Sequence, residues 1–264
     1  MEYQIVIPSY KRSELLKSKT IALLEYYLVD KEKITVFVAN EEEASIYRQA
    51  LPDYKIVVAV KGLLDARVFY NNYFPKDTRL VNLDDDLGEL KQRNSADKLE
   101  PYTGSFSDLI KLGFSTCEKV GARLWGINPV SNGFFMGDHI TVGLRYICGN
   151  FHGSYAGDPA LTDPNRANKE SSGEDFETTL RSFVRYGSVV RIEYICATTK
   201  YFASGGIDAE LKDNGIPDRQ TDHKAKLYDI TARFPDLASI RIKAGDITNI
   251  RLKSITYHKI PRVK

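Results

Sequence analysis

The first third of the chain alternates between short apolar runs and longer stretches with helical periodicity. The apolar runs predict strands over residues 4–7, 34–39, 56–60 and 79–83. The stretches between them predict helices over residues 12–27, 41–51 and 63–73. Strands and helices that alternate at this spacing form βαβ units. The sequence therefore predicts an α/β fold with a mostly parallel, doubly wound sheet that is flanked by helices.

The second half of the chain follows a loop-rich, mixed α/β pattern. A polar stretch predicts a loop over 91–105, and a helix is expected over 106–121, with Ser105 or Ser107 as its cap and Gly121 as its stop. Further expected elements are a strand at 124–127, β-rich stretches at 141–147 and 188–201, a loop at 158–173, helices at 174–186 and 221–233, and a glycine-hinged segment at 203–207. Because no repeat or linker interrupts the chain, we expect one domain over residues 1–264.

The composition is that of a globular protein that does not enter a membrane. The chain has 264 residues, of which 42% are hydrophobic, and a formal net charge of +2. No apolar run approaches the ~20 residues that span a bilayer, and no basic segment of a signal peptide is visible at the N-terminus. Three cysteines, an odd number without CxxC spacing, indicate reduced thiols and argue against a zinc site or a disulfide framework. We therefore expect a cytoplasmic protein.

Three consecutive carboxylates, Asp84, Asp85 and Asp86, follow directly after the fourth predicted strand. Adjacent negative charges repel one another, and the usual reason for placing them together is a hard divalent cation. Mg²⁺ is typically held through one or two carboxylates and completed by phosphate oxygens of a substrate. The position agrees with this interpretation, because open α/β sheets bind ligands beyond the carboxyl ends of their strands. The alternative is a solvated acidic turn, which we consider less favoured.

A second group of candidates follows the first predicted strand, in the segment Pro8, Ser9, Tyr10, Lys11 and Arg12. The proline fixes the turn that leaves the strand. The serine can hydrogen-bond to a ligand, the tyrosine can stack on a base, and the two cations can meet phosphate. The alternative is an ordinary helix start, although cations in a first helical turn are slightly unfavourable to the helix dipole.

Two further segments have weaker signals. Gly62 stands between the third strand and its helix, where a glycine permits close approach of a ligand to the backbone, with Asp65 and Arg67 in the following turn. Spacing alone favours a routine turn here. Glu174 and Asp175 open a helix, which the dipole favours in any case, and one of them is a candidate general base. The sequence does not distinguish which of the two points inward.

The histidines do not pair at metal-ligand spacing. His223 has the best case, because it follows the glycine hinge and precedes Lys224, so that both residues can close over a diphosphate. A lone histidine is nevertheless more often structural. Trp125 is interpreted as a core residue rather than as a ring that stacks on an acceptor.

Taken in order, these segments resemble a GT-A-type nucleotide-sugar glycosyltransferase, over roughly the first two-thirds of the chain. The resemblance implies a Rossmann-like fold with a nucleotide-binding half at 1–90 and an acceptor and catalytic half at 91–264. It implies that the acids at 84–86 act as the DxD signature, with Asp84 and Asp86 on Mn²⁺ or Mg²⁺. Residues 8–12 and 62–67 are similar to the family's nucleotide-binding turns, and Asp175, next to Glu174, to its catalytic base. The chain departs from the family in its long gap between 86 and 174 and in the absence of a QxxRW-like sequence.

The chain is also similar to the small phage enzymes known as TET/JBP-associated glycosyltransferases. The similarity rests on the PSYKR opening, the DDD strand end and the ASGGI segment at 203–207. It implies that the acceptor is a hydroxymethylated pyrimidine in the DNA of a bacteriophage, within the cytoplasm of an infected cell. The C-terminal segment suits either a phosphate backbone or a solvated strand face, since it carries seven cations and one acid: Arg241, Lys243, Arg251, Lys253, Lys259, Arg262 and Lys264, with Asp246.

The sequence thus predicts a metal-dependent transferase that moves a sugar from a nucleoside diphosphate sugar, most simply a UDP-sugar, to an acceptor hydroxyl. In this hypothesis His223 is a third metal ligand and Lys224 contacts the diphosphate. A sugar nucleotidyltransferase is the first alternative, but it would need a glycine-rich loop after the first strand, and residues 8–12 contain no glycine. A non-catalytic module that binds nucleic acid through its basic end is the second alternative.

Overall fold

An eleven-stranded mixed sheet runs through the residues that the computed structural model describes, which are 1–163, 173–199, 219–243 and 247–262. The strands of its first half are joined by helices and hydrogen-bond in parallel in the order β3–β2–β1–β4. The elements of this half are β1 Gln4–Pro8, α1 Ser13–Leu16, a π-turn Lys17–Ile21, α2 Ala22–Tyr26, β2 Ile34–Val38, α3 Glu41–Ala50, β3 Lys55–Val58, α4 Leu63–Tyr73 and β4 Arg79–Leu83.

The second half extends the same sheet with antiparallel strands beyond β4. The elements, in chain order, are β5 Leu87–Arg93, β6 Leu99–Pro101, α5 Phe106–Val120, β7 Trp125–Asn128, β8 His139–Leu144, β9 Phe151–Tyr155, α6 Pro159–Thr162, α7 Glu174–Tyr186, β10 Val189–Thr199, α8 Arg219–Arg233, β11 Ala238–Lys243, β12 Ile247–Leu252 and β13 Ile255–Pro261. The order continues from β4 through β9, β7, β10 and β8 to β13, and β11 pairs with β12 in a separate hairpin. Only β7 and β10 are parallel neighbours among the described strands of this half.

The local signals that predicted the helices are present in the structure. Ser105 caps α5, because its hydroxyl accepts the Asp108 N–H at 3.3 Å, and Gly121 ends the helix with a φ of 73°. A glycine in this left-handed conformation is a common helix stop. The side chain of Asn40 caps α3 in the same way through the Glu43 N–H. These caps explain why the predicted and observed helices agree so closely.

The expected loop over 91–105 is wrong, because most of this stretch belongs to the β5–β6 hairpin. The two strands pair antiparallel, and β5 also pairs with the C-terminal part of β10. Leu87 and Leu90 are buried, whereas the next three residues of the strand are only partly covered. A strand with one face exposed to solvent needs few apolar residues, so the polar composition of β5 did not predict a strand. The segment 203–207 and most of the loop expected at 158–173 lie outside the described residues.

The core lies on both faces of the sheet. Trp125 is fully buried between α5 and β9, as predicted, and its ring meets Phe114 edge-to-face. On the opposite face Phe37 of β2 packs against Tyr70 of α4, with the ring centres 5.2 Å apart. A third apolar cluster joins α7 and α8 to the β11–β12 hairpin. Within the residues described, no helix has both the length and the apolar character needed to cross a bilayer.

The topology brings four chain segments to one edge of the sheet. Strands β1, β2 and β4 are parallel, so their carboxyl ends meet there. Strand β9 runs antiparallel to β4, with Phe151 opposite Leu83, so its beginning lies at the same edge. The strand order changes direction between β1 and β4, since β2 and β3 lie on one side of β1 and β4 lies on the other. Such a switch point is the place where open α/β sheets form a ligand crevice.

Candidate active site

A cleft occupies the switch point between β1 and β4. It is lined by the residues that leave β1, β2 and β4 and by the first turn of α4: Pro8, Ser9, Tyr10, Arg12, Phe37, Val38, Ala39, Val60, Gly62, Leu63, Ala66, Asp84, Asp85 and Asp86. Eight of these residues are candidates from the sequence. The apolar wall comes from the ends of β1 and β2 and from the α4 turn, and the polar wall comes from the acids.

The turn after β1 is fixed by side chains of α3. The Ser9 hydroxyl is 2.7 Å from the Tyr47 hydroxyl, which also accepts the Arg12 N–H at 3.0 Å. The Lys11 N–H donates to Glu43 at 2.8 Å, and Lys11 itself has a φ of 54°. A non-glycine residue in the left-handed region is strained and persists only where its surroundings hold it. The turn is therefore built rigidly, and it keeps the Tyr10 ring at the cleft, with the Lys11 ammonium 5.0 Å from the ring centre.

The three consecutive acids do not have equivalent surroundings. Asp85 is buried, accepts a 2.6 Å hydrogen bond from the Ser9 hydroxyl, and lies 3.2 Å from the Arg12 guanidinium. Its negative charge is thus paired within the protein, although burial still raises the pKa of Asp85 above its ordinary value. Asp84 keeps a third of its side chain exposed, and Asp86 is 3.8 Å from the same guanidinium at its closest approach. Asp84, which also lies 3.1 Å from Arg67, and Asp86 are therefore less fully enclosed by the protein than Asp85.

The charge on Asp86 is the least compensated of the three. Partial burial, together with the negative charges of Asp84 and Asp85, raises the pKa of Asp86 to about 7. A carboxylate in this state gains strongly from a nearby cation, because a cation removes both the repulsion and the unfavourable desolvation.

Arg67 links the acids after β4 to the start of α7. This buried guanidinium lies 3.1 Å from Asp84 and 2.9 Å from Glu174, and it donates to the Gly149 carbonyl at 3.1 Å. The helix that carries it begins at Gly62, whose φ of 108° and ψ of 130° suit only glycine. Arg67 therefore neutralises charge inside the protein, and the contact with the nucleotide that the sequence suggested for it stays a prediction.

Glu174 and Asp175 occupy different environments at the start of α7. The Glu174 side chain is only 5% exposed and is paired with Arg67. Asp175 is half-buried, accepts a hydrogen bond from the Tyr146 hydroxyl, and lies 3.5 Å from the Gly149 N–H. The Tyr146 ring stacks on Phe176 at 4.3 Å, which holds the hydroxyl in place. Of the two acids, Asp175 is the more exposed, and its role as a general base stays a prediction.

The remaining candidates are placed less centrally. Asp65 is half-buried in the first turn of α4, and it is outside the lining given above. His223 is half-buried and Lys224 is exposed on α8, a helix that packs against β11 and β12. Their roles toward a metal or a diphosphate stay predictions.

The acidic edge fits a divalent cation that is completed by a substrate. Among the described residues, no group of three or more histidine, cysteine or acidic side chains could hold a metal ion alone. Asp84 and Asp86 supply hard oxygen donors, and Mg²⁺ or Mn²⁺ ordinarily takes its further ligands from water and phosphate in such sites. The donor set present, two undercompensated carboxylates, agrees with this arrangement.

Several residues of the site escaped sequence reasoning. Tyr47, Tyr146 and Gly149 had no local signal. Tyr47 lies on α3 and looks like a core residue, Tyr146 lies in the irregular segment after β8, and a single glycine looks like a turn. A Cβ at Gly149 would lie 2.9 Å from both Arg67 and Glu174, so only glycine leaves room for that pair. Cys148 is beside the site, but burial and the charges of Asp175 and Asp84 raise the pKa of its thiol to about 12. A protonated thiol is a poor nucleophile, so nothing in this environment activates Cys148.

Comparison with known proteins reveals a shared fold without a close relative. No protein-family profile matches the chain, and no curated protein matches it. Glucosyl-3-phosphoglycerate synthase from Mycobacterium tuberculosis, solved with Mn²⁺, UDP and glucosyl-3-phosphoglycerate, superimposes with a TM-score of 0.52 and 12% identity, over 98% of this chain and 89% of that one. S. aureus TarS 1–349 with UDP-GlcNAc gives a TM-score of 0.53 and 12% identity, over 88% of this chain and 66% of that one.

Likeness at this level of identity establishes the fold. Both of these structures are of the GT-A type, so the predicted α/β class with a GT-A-like sheet is confirmed.

Proposed function

We propose that this protein is a metal-dependent glycosyltransferase that moves a sugar from a nucleoside diphosphate sugar to an acceptor hydroxyl. One observation carries the proposal: at the switch point of the sheet, Asp84 and Asp86 remain available beside the cleft, whereas Asp85 is neutralised by Ser9 and Arg12. A cleft with an apolar pocket and two carboxylates that are only partly compensated by the protein suits a nucleotide whose diphosphate arrives with a divalent cation.

In this proposal Asp84 and Asp86 would hold Mn²⁺ or Mg²⁺, and the bound ion would supply positive charge to stabilise the diphosphate as a leaving group. Tyr10 and the apolar wall near Val38 and Val60 cover the nucleoside. Arg12 stays on Asp85 and keeps the turn after β1 fixed while the ligand enters. Arg67 compensates the charges of Asp84 and Glu174, and so holds the acidic turn after β4 next to the start of α7.

Asp175 is the proposed general base. The acceptor oxygen attacks the anomeric carbon of the donor and forms the new glycosidic bond. The bond from that carbon to the diphosphate oxygen breaks, and its electron pair leaves with the diphosphate. The hydroxyl proton passes to the Asp175 carboxylate. The displacement is inverting, because the acceptor attacks in one step from the side opposite the departing diphosphate. The burial and the Arg67 pairing of Glu174 make it a positioning residue for this helix start rather than the base.

The donor is proposed to be a UDP-sugar. The support is that the synthase and TarS structures with the same fold hold UDP and UDP-GlcNAc. For the acceptor we propose a hydroxymethylated pyrimidine of DNA, as the resemblance to phage enzymes implies. A base in duplex DNA would leave the stack to reach the cleft.

A cationic face on the β11–β12 hairpin supports a DNA acceptor. The register places Ser239 opposite Arg251 and Arg241 opposite Asn249, so the cations Arg241, Lys243 and Arg251 share one exposed face. Side chains on one face of a strand pair stand close enough to contact neighbouring phosphates.

The donor proposal is tested by thermal unfolding with a panel of UDP-, GDP-, ADP- and CMP-linked sugars, with and without Mn²⁺. A ligand that binds only the folded state raises the midpoint by mass action. We expect a rise with the UDP-sugar that requires Mn²⁺ and disappears in Asp86→Ala. Lys111→Ala, an exposed change on α5, is the control and retains the rise. The absence of any rise in the wild type would contradict the transferase proposal.

The acceptor proposal is tested by transfer to hydroxymethylated DNA. The triple variant of Arg241, Lys243 and Arg251 to alanine should lose transfer to DNA and retain hydrolysis of the donor by water. Alanine at Lys17, Lys111 and Lys119, three exposed cations elsewhere, is the matched control. Equal DNA transfer by both triple variants excludes the hairpin face. Donor binding without DNA transfer by the wild type excludes the DNA acceptor but not the transferase.

A further inference from the structure

The first helical segment contains a π-turn, and one residue of that turn reaches the acids. The π-turn covers Lys17–Ile21 and lies between α1 and α2. π-turns are rare and occur often at functional sites. Because one extra residue enters the turn, the side chains that follow are rotated by roughly 100° relative to a continuous α-helix. Thr20 is completely buried in this turn.

The Thr20 hydroxyl closes the acidic turn from both ends. It donates to the Asp84 carbonyl at 2.7 Å and accepts the Leu87 N–H at 3.0 Å. The three carboxylates lie between these two backbone groups. The Asp84 N–H is bound in turn by the Asn150 carbonyl at 3.0 Å, so the peptide at Asp84 is held from two sides.

The neighbouring hydroxyl in the same π-turn shows what the ordinary arrangement is. Ser18 donates to the Glu14 carbonyl of its own helix at 2.8 Å and is exposed. Serine and threonine within helices commonly bond in this way to the preceding turn. Thr20 instead donates its hydroxyl hydrogen bond to a segment that lies 64 residues away in sequence.

We infer that Thr20 is a positioning residue for the proposed metal–diphosphate site, and that the π-turn exists to aim its hydroxyl at the acidic turn. The inference rests on the proposed function. Three adjacent negative charges repel and tend to open the turn that carries them. A hydroxyl that joins the two ends opposes this opening and keeps Asp84 and Asp86 in one turn. Removing a group that orients a metal ligand without contacting the metal typically lowers metal affinity by about 10–100-fold.

The test compares Mn²⁺ affinity in Thr20→Val, Thr20→Ser and Ser18→Ala, by titration in the presence of UDP at 10 °C. Valine keeps the shape and removes the hydroxyl, so we expect Mn²⁺ binding about 10-fold weaker or worse. Serine restores the hydroxyl and should stay within about threefold of the wild type. Ser18→Ala should bind as the wild type does. Metal-free UDP binding and the unfolding midpoint are recorded alongside, to separate site geometry from stability.

A purely structural role for Thr20 predicts a different pattern. Thr20→Val would then lower the unfolding midpoint but bind Mn²⁺ normally when folded, and this result overturns the inference. Should the valine variant not fold, Thr20→Cys replaces it, since a thiol is only a weak donor and acceptor. Mn²⁺ binding by Thr20→Cys that equals binding by Thr20→Ser also overturns it. If the wild type binds no Mn²⁺ with UDP, the proposed function falls first, and the positioning role falls with it.

Discussion

The three acidic residues that follow β4 are identical in sequence but have different surroundings in the structure. Asp84, Asp85 and Asp86 form one acidic run in sequence, yet only Asp85 is fully paired within the protein. The sequence predicted that this acidic run binds a divalent cation. The assignment within the run depends on Ser9 and Arg12, which are more than 70 residues away, so no local pattern could reveal it.

The raised pKa of Asp86 makes this residue costly to stability at neutral pH. Its pKa is about 7 in the folded protein, against an ordinary value near 3.8, so the folded state binds the extra proton between these pH values. Stability from this group is therefore lost as the pH rises toward 7. We expect Asp86→Asn to raise the free energy of unfolding by roughly 2–4 kcal/mol at pH 8 and by much less at pH 5.

The measurement for Asp86→Asn is urea unfolding at both pH values, in buffer with a chelator so that no cation compensates the carboxylates. Ser18→Ala serves as the control, since its hydroxyl lies on the exposed side of the π-turn. An equal gain at pH 5 and pH 8 would show that the Asp86 carboxyl is not the titrating group.

Asp85 should respond in the opposite direction. Asp85→Asn removes the charge opposite Arg12, whose side chain is 14% exposed, and weakens the 2.6 Å bond from Ser9. Removing the nearest carboxylate charge from a largely buried guanidinium costs about 1–3 kcal/mol, although Asp86 stays 3.8 Å away. Urea unfolding at pH 8 should show this loss, next to the gain of Asp86→Asn. Two losses of equal size in the paired measurement would contradict the division of roles.

At the scale of elements, α5 packs on the sheet through Trp125, whose ring lies between Gly113 and Gly153. A Cβ at Gly113 of α5 would lie 2.3 Å from the Trp125 ring, and one at Gly153 of β9 would lie 1.9 Å from it. Because the ring is fully buried, it has no free space into which it can move. The helix and the two strands therefore pack at a distance that only glycine permits.

Gly113→Ala should consequently destabilise the protein, although alanine is the better helix former. Relief of the clash requires Trp125 or α5 to shift, and overpacking of this kind typically costs about 1–3 kcal/mol. The gain in helix propensity is only about 1 kcal/mol. Thermal unfolding of Gly113→Ala beside Lys111→Ala, an exposed change on the same helix, checks the sign. A higher midpoint for Gly113→Ala would show that the contact is loose.

The elements also show where sequence patterns stop being informative. Helices with caps, such as α3 and α5, were predicted nearly to the residue, because their signals are local. Strand β9, with the sequence FHGSY, was missed, since glycine, histidine and serine are poor strand formers. Its strand conformation comes from β4 and β7 on either side, and a sequence read locally does not contain these neighbours.

At the scale of the whole molecule, β9 is the seam between the parallel and the antiparallel halves of the sheet. His152 lies at the centre of this seam, opposite Asn82 of β4 and Gly126 of β7. Its ring is buried, and its Nδ1 is 3.1 Å from the Gly149 carbonyl. Burial and the nearby positive charge of Arg67 lower the pKa of His152 to about 3. The same residue thus stands between the two halves and beside the guanidinium that joins them.

The lowered pKa of His152 makes the molecule sensitive to acid. The unfolded chain binds this proton near pH 6.5 and the folded chain only near pH 3, so stability falls as the pH drops through that window. At pH 4.5 the loss amounts to about 3 kcal/mol relative to pH 7. His152→Asn retains an amide N–H for the Gly149 carbonyl but cannot titrate. Urea unfolding at pH 7 and pH 4.5 should show an acid-induced loss that is smaller by about 3 kcal/mol in the variant than in the wild type. An undiminished loss would place the acid sensitivity elsewhere and leave the seam without a titrating group.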